Sequence, residues 1–124
     1  LQTFNRFAAC LFTGMATLCM AGQALAQAWP ARQVRMIVPF AAGGTTDVVA
    51  RVLGQKLAEA WGQPVAIENR TGAGGNLGAD AVAKAPADGY TLLMASGSIL
   101  TVNPHMYKRM PFDAQRDLRI GSDA

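Results

Sequence analysis

The sequence predicts an α/β fold whose core is a parallel sheet built from a β-α-β-α-β unit. Three short apolar segments have the composition of buried strands, and the first two are each followed by a glycine-containing turn and a helical pattern. Short strands that alternate with helices form parallel sheets with right-handed crossovers. The loops after the strands then share one edge of the sheet, and ligands bind at that edge in such folds.

The first strand and the first helix carry the clearest patterns. The segment Val34–Phe40 is short, apolar and β-branched, and it is bounded by a turn signal, so it predicts a strand. A helix is predicted over Thr46–Trp61, with Gly62 placed to end it. Apolar residues recur within this helix at three- and four-residue spacing, which predicts a buried face. That face comprises Val49, Val52, Leu53, Leu57, Ala60 and Trp61.

The later elements are shorter and follow the same alternation. They are predicted as a strand at Pro64–Asn69, a helix near Leu77–Ala85, a turn at Pro86–Tyr90, a strand at Thr91–Ser96 and an irregular or short helical segment at Asn103–Asp113. In the second helix we expect Leu77, Ala81 and Val82 to point inward. Neither internal repeats nor low-complexity tracts interrupt this order.

A cleavable signal peptide is predicted over residues 1–26. Arg6 precedes an uncharged stretch from Phe7 to Ala26, which ends in the small-x-small pattern Ala24-Leu25-Ala26. A membrane anchor is the alternative, because the stretch is long enough to span a bilayer. The stretch contains polar residues and glycines, however, and no basic stop-transfer cluster follows it, which favours cleavage. Both cysteines, Cys10 and Cys19, lie inside it, and neither has the context of a lipidated cysteine.

The composition of residues 27–124 excludes several classes of function. This part has no cysteine, which fits a bacterial periplasm and excludes thiol nucleophiles and cysteine-ligated metals. Its net charge is +2, from ten basic and eight acidic side chains, and the basic residues are scattered. Nucleic acid is therefore not an expected partner, whereas a small anionic ligand is compatible with the mild positive balance.

Glycine-containing loops after the predicted strands suggest an anion site. Gly43 and Gly44 leave backbone N–H groups uncovered, and the hydroxyl of Thr45 or Thr46 is expected to cap the following helix. A helix amino end carries partial positive charge and unpaired N–H donors. The turn at 71–76 again places glycines between a strand and a helix, and the third strand ends in hydroxyl donors at 96–98. We therefore predict that three loops converge on one small, carboxylated ligand.

The alternative is that these glycines are turn residues and nothing more. Asp47 in the first helical turn would repel an anion, so a structural or loop-fixing role is favoured for it. Trp61 and Tyr90 are expected to be packing residues rather than ligand platforms. His105 is the only histidine, which argues against a catalytic or metal role for it.

Enzyme motifs fail when their spacing is checked. Gly72 and Gly74 would open a dinucleotide fingerprint, but Leu77 occupies the place of its third glycine. No lysine follows Gly44 as a phosphate-binding loop requires, and no serine lies in a nucleophile elbow. With one histidine and no clustered carboxylates, neither a metal site nor a cofactor is predicted. An enzyme, either a small α/β hydrolase or a nucleotide-binding domain, is the disfavoured alternative.

Several blocks in order resemble the amino-terminal half of Bug-type solute receptors, the periplasmic substrate-binding proteins of tripartite tricarboxylate transporters. The matching segments are WPARQVRMIVPFAAGGTTD at 29–47, ENRTGAGGNLGA at 68–79, ADGYTLLMAS at 87–96 and NPHMYKRMPFD at 103–113. The resemblance implies the first lobe of a two-domain, hinged receptor of the type II periplasmic binding protein kind. It also implies a monomer in the periplasm that closes around a carboxylate and delivers it to membrane permease subunits.

The family's ligand-binding loops correspond to three segments of this sequence. The resemblance implies contacts from the first loop, where backbone amides and small side chains hold a carboxylate, and from the two later loops. The predicted ligand-binding residues are Pro39, Phe40, Ala41, Gly43, Gly44, Thr45, Thr46, Asp47, Gly74, Gly75, Asn76, Ser96, Gly97 and Ser98.

The sequence departs from the family after the fourth block. Family members continue through a second lobe, whereas residues 27–124 supply only part of the first. We therefore expect the chain by itself to bind a ligand weakly or not at all, and a non-functional receptor fragment is an alternative. The sequence names neither the carboxylate nor the permease.

Overall fold

The computed structural model describes residues 28–119 and residue 121, so the predicted signal peptide lies outside the described residues. Strands and helices alternate through this part. In chain order they are β1 (Val34–Val38), α1 (Thr45–Trp61), β2 (Val65–Asn69), α2 (Asn76–Ala83), β3 (Thr91–Leu93) and α3 (Asn103–Met106). A 3₁₀ turn at Ala73–Gly75 precedes α2, and a π-helical turn at Ser98–Val102 leads into α3.

The three strands form a parallel sheet in the order β2-β1-β3, which confirms the predicted α/β class. Val34 pairs with Val65 on one side of β1, and Arg35 pairs with Thr91 on the other. Because β1 has a neighbour on each side and helices over both faces, four of its five side chains are buried. A continuous apolar strand is the pattern expected for the centre of a parallel sheet.

The two crossover helices cover opposite faces of the sheet. On one face Met36 and Val38 pack with Ala50 of α1. On the other, Ala79 of α2 packs with Ile99 and with residues that follow β3. Met36 and Val38 of β1 thus belong to the first cluster, whereas Leu93 of β3 packs against the second.

Two strands end earlier than predicted. The first was expected to reach Phe40 and the third Ser96, but β1 ends at Val38 and β3 at Leu93. Pro39 cannot donate a ladder hydrogen bond, so the ladder stops before it. The predicted end of α1 is confirmed, since Gly62 adopts the left-handed conformation and donates its N–H to the Ala58 carbonyl at 3.0 Å.

The predicted buried face of α1 is mostly wrong. The buried residues of the helix are Asp47, Ala50 and Gly54, with only Leu57 of the expected set packed against the core cluster. The expected inward residues Val49, Val52, Leu53 and Ala60 are exposed, and Val48 is exposed beside them. The small residues allow the helix to approach the sheet closely: a Cβ on Gly54 would lie 3.0 Å from Ile67 Cδ1.

Trp61 is a packing residue, as predicted, while Leu77 differs from the prediction. Trp61 is half-buried, and its ring packs edge-on against Trp29, with ring centroids 5.0 Å apart. In α2 the buried residues are Asn76, Gly78 and Ala79, while Leu77 is exposed and lies against Gly72. Small residues again face the sheet, for the same reason of close approach.

Candidate functional site

The three predicted loops meet at the carboxyl edge of the sheet. A Cβ on Gly75 would lie 2.7 Å from Ile99 Cδ1 and 3.3 Å from Pro39 Cβ, so these segments are in van der Waals contact. Because β2 and β3 lie on opposite sides of β1, the first crossover leads to one side of β1 and the second leads back past β1 to its other side. The resulting switch point lies between the loops that follow β1 and β3, and such points hold the ligand crevice in open α/β sheets.

The first loop is held by the side chain of Asp47. This residue is 2% exposed. Its Oδ2 accepts hydrogen bonds from the Gly43 N–H and from Arg51 Nε, both at 2.9 Å, and its Oδ1 accepts one from Asn69 Nδ2 at 2.9 Å. Asn69 Nδ2 also donates to the Phe40 carbonyl at 3.0 Å. The geometry matches the loop-fixing role favoured from the sequence.

The same contacts keep Asp47 ionised. The Arg51 guanidinium, the Gly43 N–H and the Asn69 amide hold the pKa of this carboxyl well below its usual range, against the opposing effect of burial. Hydrogen bonds donated to a carboxylate stabilise its charged form. The loop is therefore anchored by a charge that persists at neutral and moderately acidic pH.

Two expectations about the first loop are wrong. The N–H groups of Gly43 and Gly44 are not uncovered, because they bond to Asp47 Oδ2 at 2.9 Å and to the Ala41 carbonyl at 3.3 Å. Neither threonine hydroxyl caps α1, whose N-cap is Gly44 with no side-chain cap hydrogen bond. Asp47, three residues after the N-cap, instead reaches back to the loop, much as the acidic residue of a capping box does.

A helix that begins without a side-chain cap leaves its first N–H groups open. In α1 these groups include those of Thr45 and Thr46, because the first intrahelical hydrogen bond is donated by the Val48 N–H to the Gly44 carbonyl. Both residues lie at the switch-point edge, directly after the anchored loop. The donors available to an anion are thus those of the first helical turn rather than those of the two glycines.

The second loop is explained largely by packing. Gly72, Gly74 and Gly75 all have a positive φ, a backbone conformation that residues with a side chain rarely adopt. A Cβ on Gly74 would lie 2.8 Å from the Tyr107 hydroxyl oxygen, so there is little room for a side chain. For this loop the structure favours the turn-residue alternative.

Asn76 lies beneath the second loop rather than at its surface. It is 2% exposed, and its Oδ1 accepts a hydrogen bond from Asn103 Nδ2 at 2.7 Å. Asn103 Nδ2 also donates to the Gly74 carbonyl at 3.0 Å, which ties α3 to the loop. The predicted contact of Asn76 with a ligand is untested, and in this conformation its side chain serves the loop.

The third loop offers hydroxyl donors and open space. Ser96 Oγ and Ser98 Oγ are 2.7 Å apart, so one hydroxyl donates to the other and one proton stays available. Gly97 has an ordinary helical φ of −53°, and a Cβ there would meet nothing within 4 Å. Neither backbone conformation nor packing requires a glycine at this position, in contrast to the second loop.

The residues that sequence reasoning missed are Arg51, Asn69, Asn103 and Tyr107. One signal was present, because Arg51 lies four residues after Asp47, a spacing that brings opposite charges together on a helix. The two asparagines carry no comparable pattern. Their partners lie 22 and 27 residues away in the chain.

Within residues 28–119 and 121 there is no group of three or more histidine, cysteine or acidic side chains that could hold a metal ion. No helix in this part has the length and apolar character needed to cross a membrane. A concavity of about 670 Å³ is lined by residues between Leu100 and Gln115, and none of the predicted ligand-binding residues lines it.

Comparison with known families identifies the chain. Residues 49–122 match the family model described as the tripartite tricarboxylate transporter family receptor. The chain belongs to this receptor family. BugT of Bordetella pertussis is 46% identical over 118 residues, which cover 94% of this chain and 36% of BugT. The chain therefore spans about a third of the length of this relative.

Solved structures agree with the family assignment and with the fold. A protein of R. palustris whose structure was determined with adipate is 46% identical, with a TM-score of 0.68 over 70% of this chain and 29% of that protein. MatC of Rhodopseudomonas palustris, determined with bound malate, is 37% identical, with a TM-score of 0.61 over 72% of this chain and 30% of MatC. The suspected resemblance to Bug-type receptors of this family is confirmed.

Proposed function

We propose that the chain forms part of the first lobe of a periplasmic solute receptor that captures a small di- or tricarboxylate. Its task is to bind the ligand reversibly and deliver it to the membrane permease of a tripartite transporter. Membership of a receptor family supports both parts of this proposal. The structures of relatives determined with adipate and with malate support a carboxylate as the ligand.

One observation carries the proposal: α1 begins without a side-chain cap at the switch point of the sheet. The N–H groups of Thr45 and Thr46 thus remain as donors where the helix carries partial positive charge. The hydroxyl pair of Ser96 and Ser98 follows the neighbouring strand at the same edge and retains one free proton. These donors suit one carboxylate group, which accepts through two oxygens.

The chemistry at this edge is capture rather than bond breaking. Hydrogen bonds to a carboxylate need no nucleophile, and a receptor must release its ligand unchanged. The second carboxylate of a diacid requires further donors, and these are assigned to the second lobe that the resemblance implies. The periplasmic location, the monomeric state and the permease partner belong to this proposal.

Nuclear magnetic resonance titration tests the proposal on the chain itself. It detects millimolar affinities, which matter because one lobe is expected to bind weakly. We expect malate and adipate to shift the backbone amide resonances of Thr45, Thr46 and Ser98. Adipamide, the neutral diamide of adipate, should leave them unchanged. Equal shifts with adipamide, or shifts confined to residues 100–115, would contradict the proposal.

Gly97 offers a variant that separates binding from folding. The substitution Gly97→Ala fits the backbone φ and meets open space, so the unfolding temperature should stay the same. The added methyl group would partly cover the donors beside it. We expect adipate to bind about fivefold more weakly, which corresponds to the ~1 kcal/mol of one hydrogen bond. Unchanged affinity would show that the third loop does not contact the ligand.

A further inference from the structure

The buried carboxylate of Asp47 occupies an unexpected place, at the end of α1 where an anion is proposed to bind. We propose that Asp47, held by Asn69 and Arg51, is a positioning residue that fixes the first loop so that the first-turn N–H groups of α1 face the ligand. This inference rests on the proposed function and deepens it. The side chain of Asp47 makes no contact with the ligand in this account.

The carboxylate is fully used by the protein. Oδ2 accepts from the Gly43 N–H and Arg51 Nε, and Oδ1 accepts from Asn69 Nδ2, each at 2.9 Å. The residue is 2% exposed. A carboxylate whose two oxygens are enclosed in this way presents little charge to the crevice, and the neighbouring guanidinium balances what remains.

Asn69 joins the anchored loop to the sheet. It is the last residue of β2, and its Nδ2 is shared between Asp47 Oδ1 and the Phe40 carbonyl at 2.9 and 3.0 Å. The loop is therefore held near both of its ends, at Phe40 and at Gly43. Since Gly43 has positive φ and open space around it, the loop has little other side-chain packing to fix its path.

A positioning role and a purely electrostatic role predict opposite effects of neutralising this charge. If Asp47 acted only through its charge, Asp47→Asn would raise the positive potential at the helix end and tighten binding of an anion. If it positions the loop, the same change places an amide N–H₂ where Asn69 or Arg51 donates. The loop then loses an anchor, and the anion binds more weakly.

The test compares three variants with the wild-type chain, using malate and adipate as probes. We expect Asp47→Asn and Asn69→Ala each to weaken binding about tenfold, the order of magnitude of one hydrogen bond to a charged group. Asn69→Ala keeps the net charge, so its loss cannot be electrostatic. The control is Asp88→Asn, which makes the same charge change at a residue bonded to Arg32 and to the Tyr90 N–H before β3. This control should bind like the wild type.

Hydrogen exchange at the Gly43 amide supplies a readout that general destabilisation would not single out. We expect faster exchange at Gly43 in both anchor variants, with unchanged exchange in the strand amides of Met36 and Ile37. Equal or tighter binding by Asp47→Asn, an equal loss in Asp88→Asn, or unchanged Gly43 exchange would overturn the inference alone. Of the two outcomes expected for a single lobe, weak binding or none, the proposed function requires weak binding. If the wild-type chain binds neither probe at millimolar concentration, the proposed function fails and the inference fails with it.

Discussion

Gly78 is the position where one added methyl group most directly tests the packing beneath the candidate site. A Cβ on this residue would lie 2.8 Å from the Arg70 carbonyl oxygen, 2.8 Å from Pro39 Cβ and 3.0 Å from Pro39 Cα. These neighbours are a backbone carbonyl and a proline ring, so neither can rotate away. The substitution Gly78→Ala must therefore move α2 away from the first loop.

Two effects of opposite sign set the magnitude. Replacing glycine by alanine within a helix stabilises the fold by about 0.5–1 kcal/mol. Forcing an extra carbon into a closely packed contact costs about 1–3 kcal/mol. The second effect is the larger, so we expect Gly78→Ala to lower the free energy of unfolding by about 1–2 kcal/mol. For a domain of this size the unfolding temperature falls by about 4–8 °C for each kcal/mol.

Gly54 provides the matched control because it is also a buried glycine within a helix. A Cβ there would lie 3.0 Å from Ile67 Cδ1 and 3.5 Å from Val65 Cγ1, and both are ends of side chains that can adjust. The helix propensity gained should offset this contact, so Gly54→Ala should stay within about 0.5 kcal/mol of the wild type.

Urea unfolding followed by circular dichroism measures both variants on one scale. A chemical-shift map of Gly78→Ala should in addition show displaced resonances at Pro39 and Gly43, because α2 packs against that loop. A Gly78→Ala chain as stable as the wild type, or a larger loss in Gly54→Ala, would refute the reasoning from close backbone contact.

Three further predictions concern acid stability, the core and the aromatic cluster. The pKa of Asp47 is lowered in the folded chain, so its contribution to stability is present above the unfolded pKa of about 3.9 and is lost as the pH falls below it. Asp47→Asn should remove this part of the acid sensitivity. An unchanged dependence of the free energy of unfolding on pH would contradict the ion pair with Arg51. Ile99 is fully buried against the second loop. In urea unfolding, Ile99→Ala should lower the free energy of unfolding by about 2–5 kcal/mol and Ile99→Val by about 0.5–1.5 kcal/mol. Equal losses in the two variants would contradict tight packing around Ile99. A double-mutant cycle on Trp29 and Trp61, whose ring centroids lie 5.0 Å apart, should give a coupling of about 0.5–1.5 kcal/mol in thermal unfolding, and additive effects would contradict the edge-on contact.

Much of the fold could be predicted because its signals are local. The apolar run of β1, the glycine that ends α1 and the alternation of elements follow from residue types within a few positions of one another. Together they predict a parallel sheet and place three loops at one edge. The buried helix faces could not be predicted in this way, because α1 carries apolar residues on more than one side and bulky Val52 stays exposed.

The candidate site was predicted in position but not in detail. The three loops do meet, yet the sequence pattern could not show that Asp47 takes the Gly43 N–H or that Asn76 lies beneath the second loop. Both facts depend on partners far along the chain, Asn69 and Asn103. Whether the predicted residues touch a carboxylate stays a prediction for the titrations above.

The sequence by itself determined the order of the elements, the receptor family and the edge of the sheet where a ligand is expected. Short-range chemistry suffices for the order and the edge, since periodicity and turn residues act within a few positions, whereas the family follows from the resemblance of four sequence blocks. Only the tertiary structure decided which helix faces are buried and which N–H groups are free. These depend on how closely backbones can approach, and small residues such as Ala50 and Gly78 set that distance rather than the bulkier apolar residues beside them.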